Sequence, residues 1–162
     1  MEHKFGIFST VEELNRAAAA QKAEGDLEAL IGLAEENGID REEAEDYMAD
    51  SVECLCTPYM AAVGKLKLEE SDLKLQSQLK DWKDFIVQIA AENDAMCHGI
   101  FAPDKHLKDV LAAGLKKASQ NRIPVGKEIA AAAGLPSGTY IGMCGRDELR
   151  EIVMRYYLGE KE

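Results

Sequence analysis

The sequence has no run of about 18 consecutive apolar residues, which excludes a helix that spans a membrane. Its opening, MEHKFGIFST, lacks the apolar stretch and small-residue cleavage site of a secretory signal, so the expected location is the cytoplasm. Cysteine is scarce: Cys54, Cys56, Cys97 and Cys144 are the four in 162 residues. In a reducing compartment they read as free, largely buried thiols, and no disulfide framework is expected. Their spacing is also poor for zinc, which favours paired ligands about two to four residues apart. Cys54 and Cys56 would fall on different faces of a helix, and Cys97 and His98 are adjacent, which suits chelation only in a loop. No metal and no cofactor are expected.

The motifs of catalysis are missing as well. There is no G-x-S-x-G, no phosphate-binding loop and no H-E-x-x-H. Cys97 beside His98 is not a nucleophile–base pair, because adjacency in sequence is not the geometry a base needs. His106 falls near solvent on a helix, and His3 lies on an end expected to lack order. The chain is expected not to be an enzyme.

Positive charge is in short supply too. Lysine and arginine number 19 against 30 aspartate and glutamate, for a net charge of −11. In residues 1–60 four cations (Lys4, Arg16, Lys22, Arg41) face fifteen carboxylates, so that third alone carries −11. Residues 61–103 carry −2 and residues 104–162 carry +2. An acidic surface repels nucleic acid and attracts basic proteins, and the same acidity also serves solubility.

What the sequence has in plenty is helical punctuation. Ser9 with Glu12 reads as a capping box, opening a helix with Val11, Leu14, Ala17 and Ala18 on one stripe. Gly25 ends it, and Asp26 caps the next, with Leu27, Leu30, Ile31 and Ala34 on one face. Asn37-Gly38 stops that helix, and Asp40 with Glu43 reads as a second capping box. Pro58 fits either the end of one helix or the first position of another, and Gly64 is expected to loosen the helix around it. Ser71 is the expected cap of a long helix reaching Met96, with Leu75, Leu79, Trp82, Phe85, Ile86 and Ile89 inward and a break at Cys97–Asp104. Asp104 then caps a helix with Leu107, Val110, Leu111 and Leu115 inward. A final helix begins near Asp147 and carries Leu149, Ile152, Val153 and Tyr156 on one side. No strand of any length is legible. The expectation is an all-α fold, a compact bundle of six to eight helices. An acidic three-helix segment over residues 1–58 precedes a helical core over 59–162, or the two form one continuous domain.

The stretch GKEIAAAAGLPSGTYIG, residues 126–142, resembles the first half of a bacterial repressor's helix-turn-helix. Ala130 is the small residue within the first helix, and Gly134 allows the corner. A recognition helix after it would contain Gly138, Gly142 and Gly145, each costing about 1 kcal/mol against alanine. It would offer no arginine, lysine, asparagine or glutamine before Arg146, and base-edge reading depends on such side chains. The cations that could touch phosphate are Lys116, Lys117, Arg122, Lys127 and Arg146, with Arg150 and Arg155 nearby.

EGDLEALIGLAEENGIDREEAEDYM, residues 24–48, resembles segments of small proteins of clostridial and related mobile elements. Its LAEENGID also looks like helical leader segments of some peptide natural products. The chain as a whole resembles small accessory proteins carried on mobile elements of gut Firmicutes, among which anti-CRISPR inhibitors of Cas9 occur. That resemblance implies an interaction protein whose partner is a basic, nucleic-acid-binding protein such as Cas9. It transfers no functional residue. Candidate contacts come from charge alone: Glu35, Glu36, Glu42, Glu43, Glu45, Asp46 and Asp50. The competing expectation is a DNA-binding regulator acting as a dimer through the C-terminal corner.

Overall fold

In the computed structural model, residues 3–159 are described, and they form nine helices and one small two-stranded sheet. The all-helical expectation holds, with one helix more than the upper count. The first three helices are α1 (Val11–Glu24), α2 (Leu27–Glu36) and α3 (Arg41–Met48). α1 is capped one residue later than expected. The Thr10 hydroxyl accepts from Glu13 N at 3.1 Å, while the Glu13 carboxylate accepts from Ser9 N at 2.8 Å. This is half of a capping box: the Thr10 side chain meets the N3 amide, while the Glu13 carboxylate reaches past the cap to the residue before it. Asp26 caps α2 as expected, accepting from Ala29 N at 2.9 Å. Asp40 precedes α3 but makes no side-chain cap, and its carboxylate is drawn instead to Lys67 at 3.1 Å.

Pro58 opens α4 (Pro58–Leu73), with Thr57 as cap. This is the first helical position, where the missing N–H costs nothing. Gly64 does not loosen the helix. It is buried, and a Cβ there would collide with the Asn37 carbonyl, while a Cβ on Gly38 would collide with the Gly64 backbone. Gly38 also has φ +71°, a conformation glycine adopts freely. The α2–α3 corner therefore sits directly on α4, backbone against backbone.

The long helix expected from Asp72 to Met96 is three pieces. Ser71 lies inside α4, which closes at Lys74 in the left-handed conformation; α5 (Ser77–Ala91) and α6 (Asp94–Phe101) come next. Glu70 on α4 reaches Lys83 at 2.7 Å and Lys80 at 3.4 Å, joining α4 to α5. Asn93 caps α6, accepting from Met96 N at 3.0 Å, so the break falls at Glu92–Asn93 and Cys97–Phe101 is helical. α7 (Leu107–Gln120) starts after His106, not after Asp104. Its opening N–H groups are met from outside the helix. His106 N donates to the Tyr156 hydroxyl at 2.8 Å and Leu107 N to Glu69 at 3.2 Å.

After α7 the chain forms β1 (Arg122–Pro124), α8 (Lys127–Ala132) and β2 (Tyr140–Gly142), then closes with α9 (Arg146–Leu158). The strands pair antiparallel, Ile123 opposite Ile141. On α9 the buried tyrosine is Tyr157, not Tyr156, whose hydroxyl is occupied by His106 and by Asp109 at 3.0 Å.

Two buried clusters hold the chain together. One gathers α1–α3 around Leu14, Leu30 and Leu33, with Leu55 and Cys56 from the intervening loop. The other gathers α5–α7 and α9 around Ile86, Met96, Ile100 and Val110, with Trp82 and Phe85 at its edge. α4 serves both, giving Ala61 to the first and Ala62 and Leu66 to the second. Burial of large aliphatic and aromatic side chains contributes roughly 1.5–3 kcal/mol each, before the opposing loss of chain entropy.

Candidate interaction surface

The acidic residues singled out by charge lie on α2, α3 and the turn after α3. Glu35, Glu42, Glu45, Asp46 and Asp50 are exposed; Glu36 and Glu43 are half-buried. They do not all remain available. Both oxygens of Glu36 accept backbone N–H groups, from Lys4 at 3.0 Å and Phe5 at 3.1 Å, and hold the N-terminal segment down. That segment, expected to lack order, lines a cleft of about 310 Å³ with Lys65, Phe101 and His106. Asp50 pairs with Lys22, and Glu45 with Arg41 at 2.8 Å. Among the described residues Glu35, Glu42, Glu43 and Asp46 have no ion pair.

Arg41 shows how crowded the negative charge is. Its pKa is raised by the hydrogen bond to Glu45, then by the Glu45 charge and by the fields of Glu35 and Glu28. One exposed arginine thus pairs with one carboxylate and stands in the field of two more from the neighbouring helix. The geometry of the α2–α3 hairpin, fixed by the Gly38–Gly64 contact, is what brings Glu28, Glu35 and Glu45 to the same cation.

The cations of the other expectation lie elsewhere in the chain. Lys116 and Lys117 are near the end of α7, Arg122 is on β1, Lys127 opens α8 and Arg146 opens α9. Lys117 reaches Glu148 at 3.7 Å, Arg122 stands over the Tyr140 ring at 5.4 Å, and Arg146 over Phe85 at 4.7 Å. The corner itself is not a helix-turn-helix. Gly134 turns the chain with φ +68° as expected, but no helix comes directly after it. Tyr140, Ile141 and Gly142 form a strand, and Gly142 lies so close to α7 that a Cβ would strike the Ala118 carbonyl. Of the glycines that argued against a recognition helix, Gly138 and Gly142 serve a tight β1–α8–β2 unit instead, and Gly145 precedes α9.

The thiols are held apart by their own partners. Cys97 Sγ donates to the Ala90 carbonyl at 3.1 Å, and Cys56 Sγ lies 3.8 Å from Asn15 Oδ1. Among the described residues no three of His, Cys, Asp or Glu converge as a metal cluster would. The polar groups of the cleft are likewise engaged within the chain. The Lys65 ammonium donates to the Ala102 and Lys105 carbonyls, and Glu69 holds Leu107 N and His106. Burial pushes the Lys65 pKa down against the pull of Glu69 and Asp104.

These features define the chain as a compact helical bundle with an acidic helical hairpin in its N-terminal part and a small, cation-bearing β1–α8–β2 unit near the other end of the sequence. In comparisons with known proteins, no family model, no curated protein and no solved structure matches the chain. Among the described residues no helix is long and apolar enough to cross a membrane.

Proposed function

We propose that this chain is a non-enzymatic interaction protein whose α2–α3 face engages a basic, nucleic-acid-binding protein. The observation that carries the reading is the exposed carboxylate cluster of Glu35, Glu42 and Asp46, which lacks ion pairs although Arg41 stands beside it. Charge of one sign left unneutralised on a rigid surface steers encounter with the opposite sign and sharpens partner choice. The sequence resemblance points to an RNA-guided nuclease such as Cas9 as that partner. Such an enzyme holds its nucleic acids in a positively charged channel that an acidic protein can occupy.

The test uses purified guide-loaded Cas9 and the full chain. Addition of the chain should slow cleavage of a linear target, and the chain alone should not retard random duplex DNA on a gel. The triple variant Glu35→Gln, Glu42→Gln, Asp46→Asn should associate about tenfold more slowly at low salt, with the difference shrinking as salt rises. Undiminished binding by the triple variant, or retardation of free duplex by the wild type, would refute the reading.

A further inference from the structure

Nothing in the local sequence calls for the corner between α4 and α5. Residues 72–79, DLKLQSQL, hold no glycine, no proline and no β-branched residue, and leucine, lysine and glutamine are good helix formers. Yet α4 stops at Leu73 and α5 resumes at Ser77. Lys74 closes α4 with φ +52° and ψ +46°, at a position where glycine is the usual residue, and Ser77 opens α5 with φ +49°. Two of the three non-glycine residues with positive φ among the described residues thus fall within four positions. A residue with a Cβ is strained in that conformation. Gln76 gives α5 no side-chain cap to offset it.

What bends the chain is the packing of its two halves. Apart from Phe101, the first buried cluster is drawn from residues before the corner. Apart from Ala62 and Leu66, the buried members of the second come from residues after it. Glu70 pairs with Lys83 and Lys80 across the corner, Lys65 donates to the Ala102 and Lys105 carbonyls, and Glu69 accepts from Leu107 N. Each of these contacts joins a residue before Lys74 to one after Ser77. None of them requires both residues to belong to the same molecule.

We infer that the α4–α5 corner is a hinge through which two copies of this chain exchange halves. The corner straightens, α4 and α5 join in one helix, and α5–α9 of each copy packs on α1–α4 of the other. The contacts themselves fix the occupant, since a second copy alone carries the same Lys83, Phe101 and Leu107 for Glu70, the first cluster and Glu69. Straightening relieves the left-handed residues in both copies and adds helical hydrogen bonds that the corner lacks, while the interface is one the monomer already has. A short strained hinge of good helix formers favours such an exchange. Loss of freedom on association opposes it, so concentration sets the balance. The exchanged pair carries the α2–α3 face twice, whatever that face binds.

The experiment refolds the full chain from urea at about 1 mM and at about 10 µM, and reads the mass by light scattering after size exclusion. A dimer should form at the higher concentration and persist after dilution, because the return exchange requires unfolding. Lys74→Gly combined with Ser77→Gly relieves both left-handed positions and weakens the straight helix. It should lower the dimer fraction about tenfold or more. Charge reversal then shows whether halves were exchanged. Glu70→Lys alone and Lys83→Glu alone each set like charges together where α4 meets α5, in a monomer and in a pair of identical copies alike. Refolded as an equal mixture, the two should give chiefly a mixed dimer, in which both α4–α5 contacts regain opposite charges. Circular dichroism checks that the glycine variant keeps its helices. A wild type that stays monomeric at the higher concentration overturns the inference. So does a dimer undiminished in the glycine variant, or one that forms with no preference for the mixed pair. Should a charge variant fail to fold alone, the glycine variant decides by itself.

Discussion

At the scale of single residues, the buried stripes were readable because apolar spacing follows the helix period. Val11, Leu14, Leu30, Ile31, Trp82, Phe85, Ile86, Ile89, Leu107 and Val110 are all buried where the pattern put them, but Leu27 and Leu115, placed on the same stripes near helix ends, are 37% and 50% exposed. Gly64 was not readable, because its reason lies in a neighbour far along the chain. Helix propensity marks it as a weak point; the Asn37 carbonyl above it makes alanine worse than glycine. Gly64→Ala should therefore destabilise the fold by about 1–3 kcal/mol in urea unfolding, although alanine is the better helix former. A gain in stability would show that the two backbones do not meet this closely. The thiols allow a second check. Cys54 is half-buried, whereas burial pushes the Cys56 thiol up to about 12, with the Cys54 charge adding to it. Burial also raises Cys97 and Cys144, so none of these three offers much thiolate at neutral pH. A disulfide reagent should label one thiol quickly in the native protein, and Cys54→Ser should remove that fast phase. Several fast thiols in the wild type would contradict the packing around Cys56.

At the scale of elements, what the sequence concealed was where helices stop. Asn93 is an ordinary cap by type, but it stands in a run whose apolar period continues through it, and the period wins when read alone. The start of α7 was hidden for another reason: its N–H groups are satisfied by Glu69 and Tyr156, which lie on other helices. No local pattern can announce a cap supplied from elsewhere. The start of α9 combines both kinds. Gly145 cannot cap with a side chain, so the Glu148 carboxylate accepts from Gly145 N at 2.9 Å and from Asn121 Nδ2 at 2.8 Å. The bond from Gly145, then that from Asn121, with Lys117 nearby, hold the Glu148 pKa below the ordinary carboxylate value. A depressed folded pKa means that the ionised form stabilises the native state. The contribution is complete above the unfolded value of about 4.3 and is lost as the pH falls through the lower folded value. Glu148→Gln should thus be less stable than wild type at neutral pH, and the gap in urea midpoint should close in acid. A gap that stayed constant from neutral pH down to about pH 3 would mean that the charge of Glu148 contributes nothing.

At the scale of the molecule, the uneven charge was plain in the sequence, but the way the chain arranges it was not. Composition could not foresee that Glu36 would be consumed in holding the N-terminal segment, or that Lys22 would pair with Asp50 and Arg41 with Glu45, leaving Glu28 and Glu35 only the field of Arg41. Nor could it foresee that the glycine-rich corner would become a β1–α8–β2 unit that adds nothing to the core. Glu35 is the most telling of the open carboxylates. It sits in the last turn of α2, at the negative end of the helix dipole, where that helix carries no basic residue. It is exposed, and neighbouring Glu28 and Glu45 compete with it for Arg41. On stability alone a carboxylate is poorly placed there. If its purpose is the partner, Glu35→Gln should raise the thermal midpoint slightly, worth about 0.3–1 kcal/mol at low salt, while slowing association with a basic protein. The stabilisation should fade as salt screens the dipole and the neighbouring charges. A lower midpoint at low salt would mean that Glu35 holds α2 and Arg41 together, and its exposure would then be no argument for a partner.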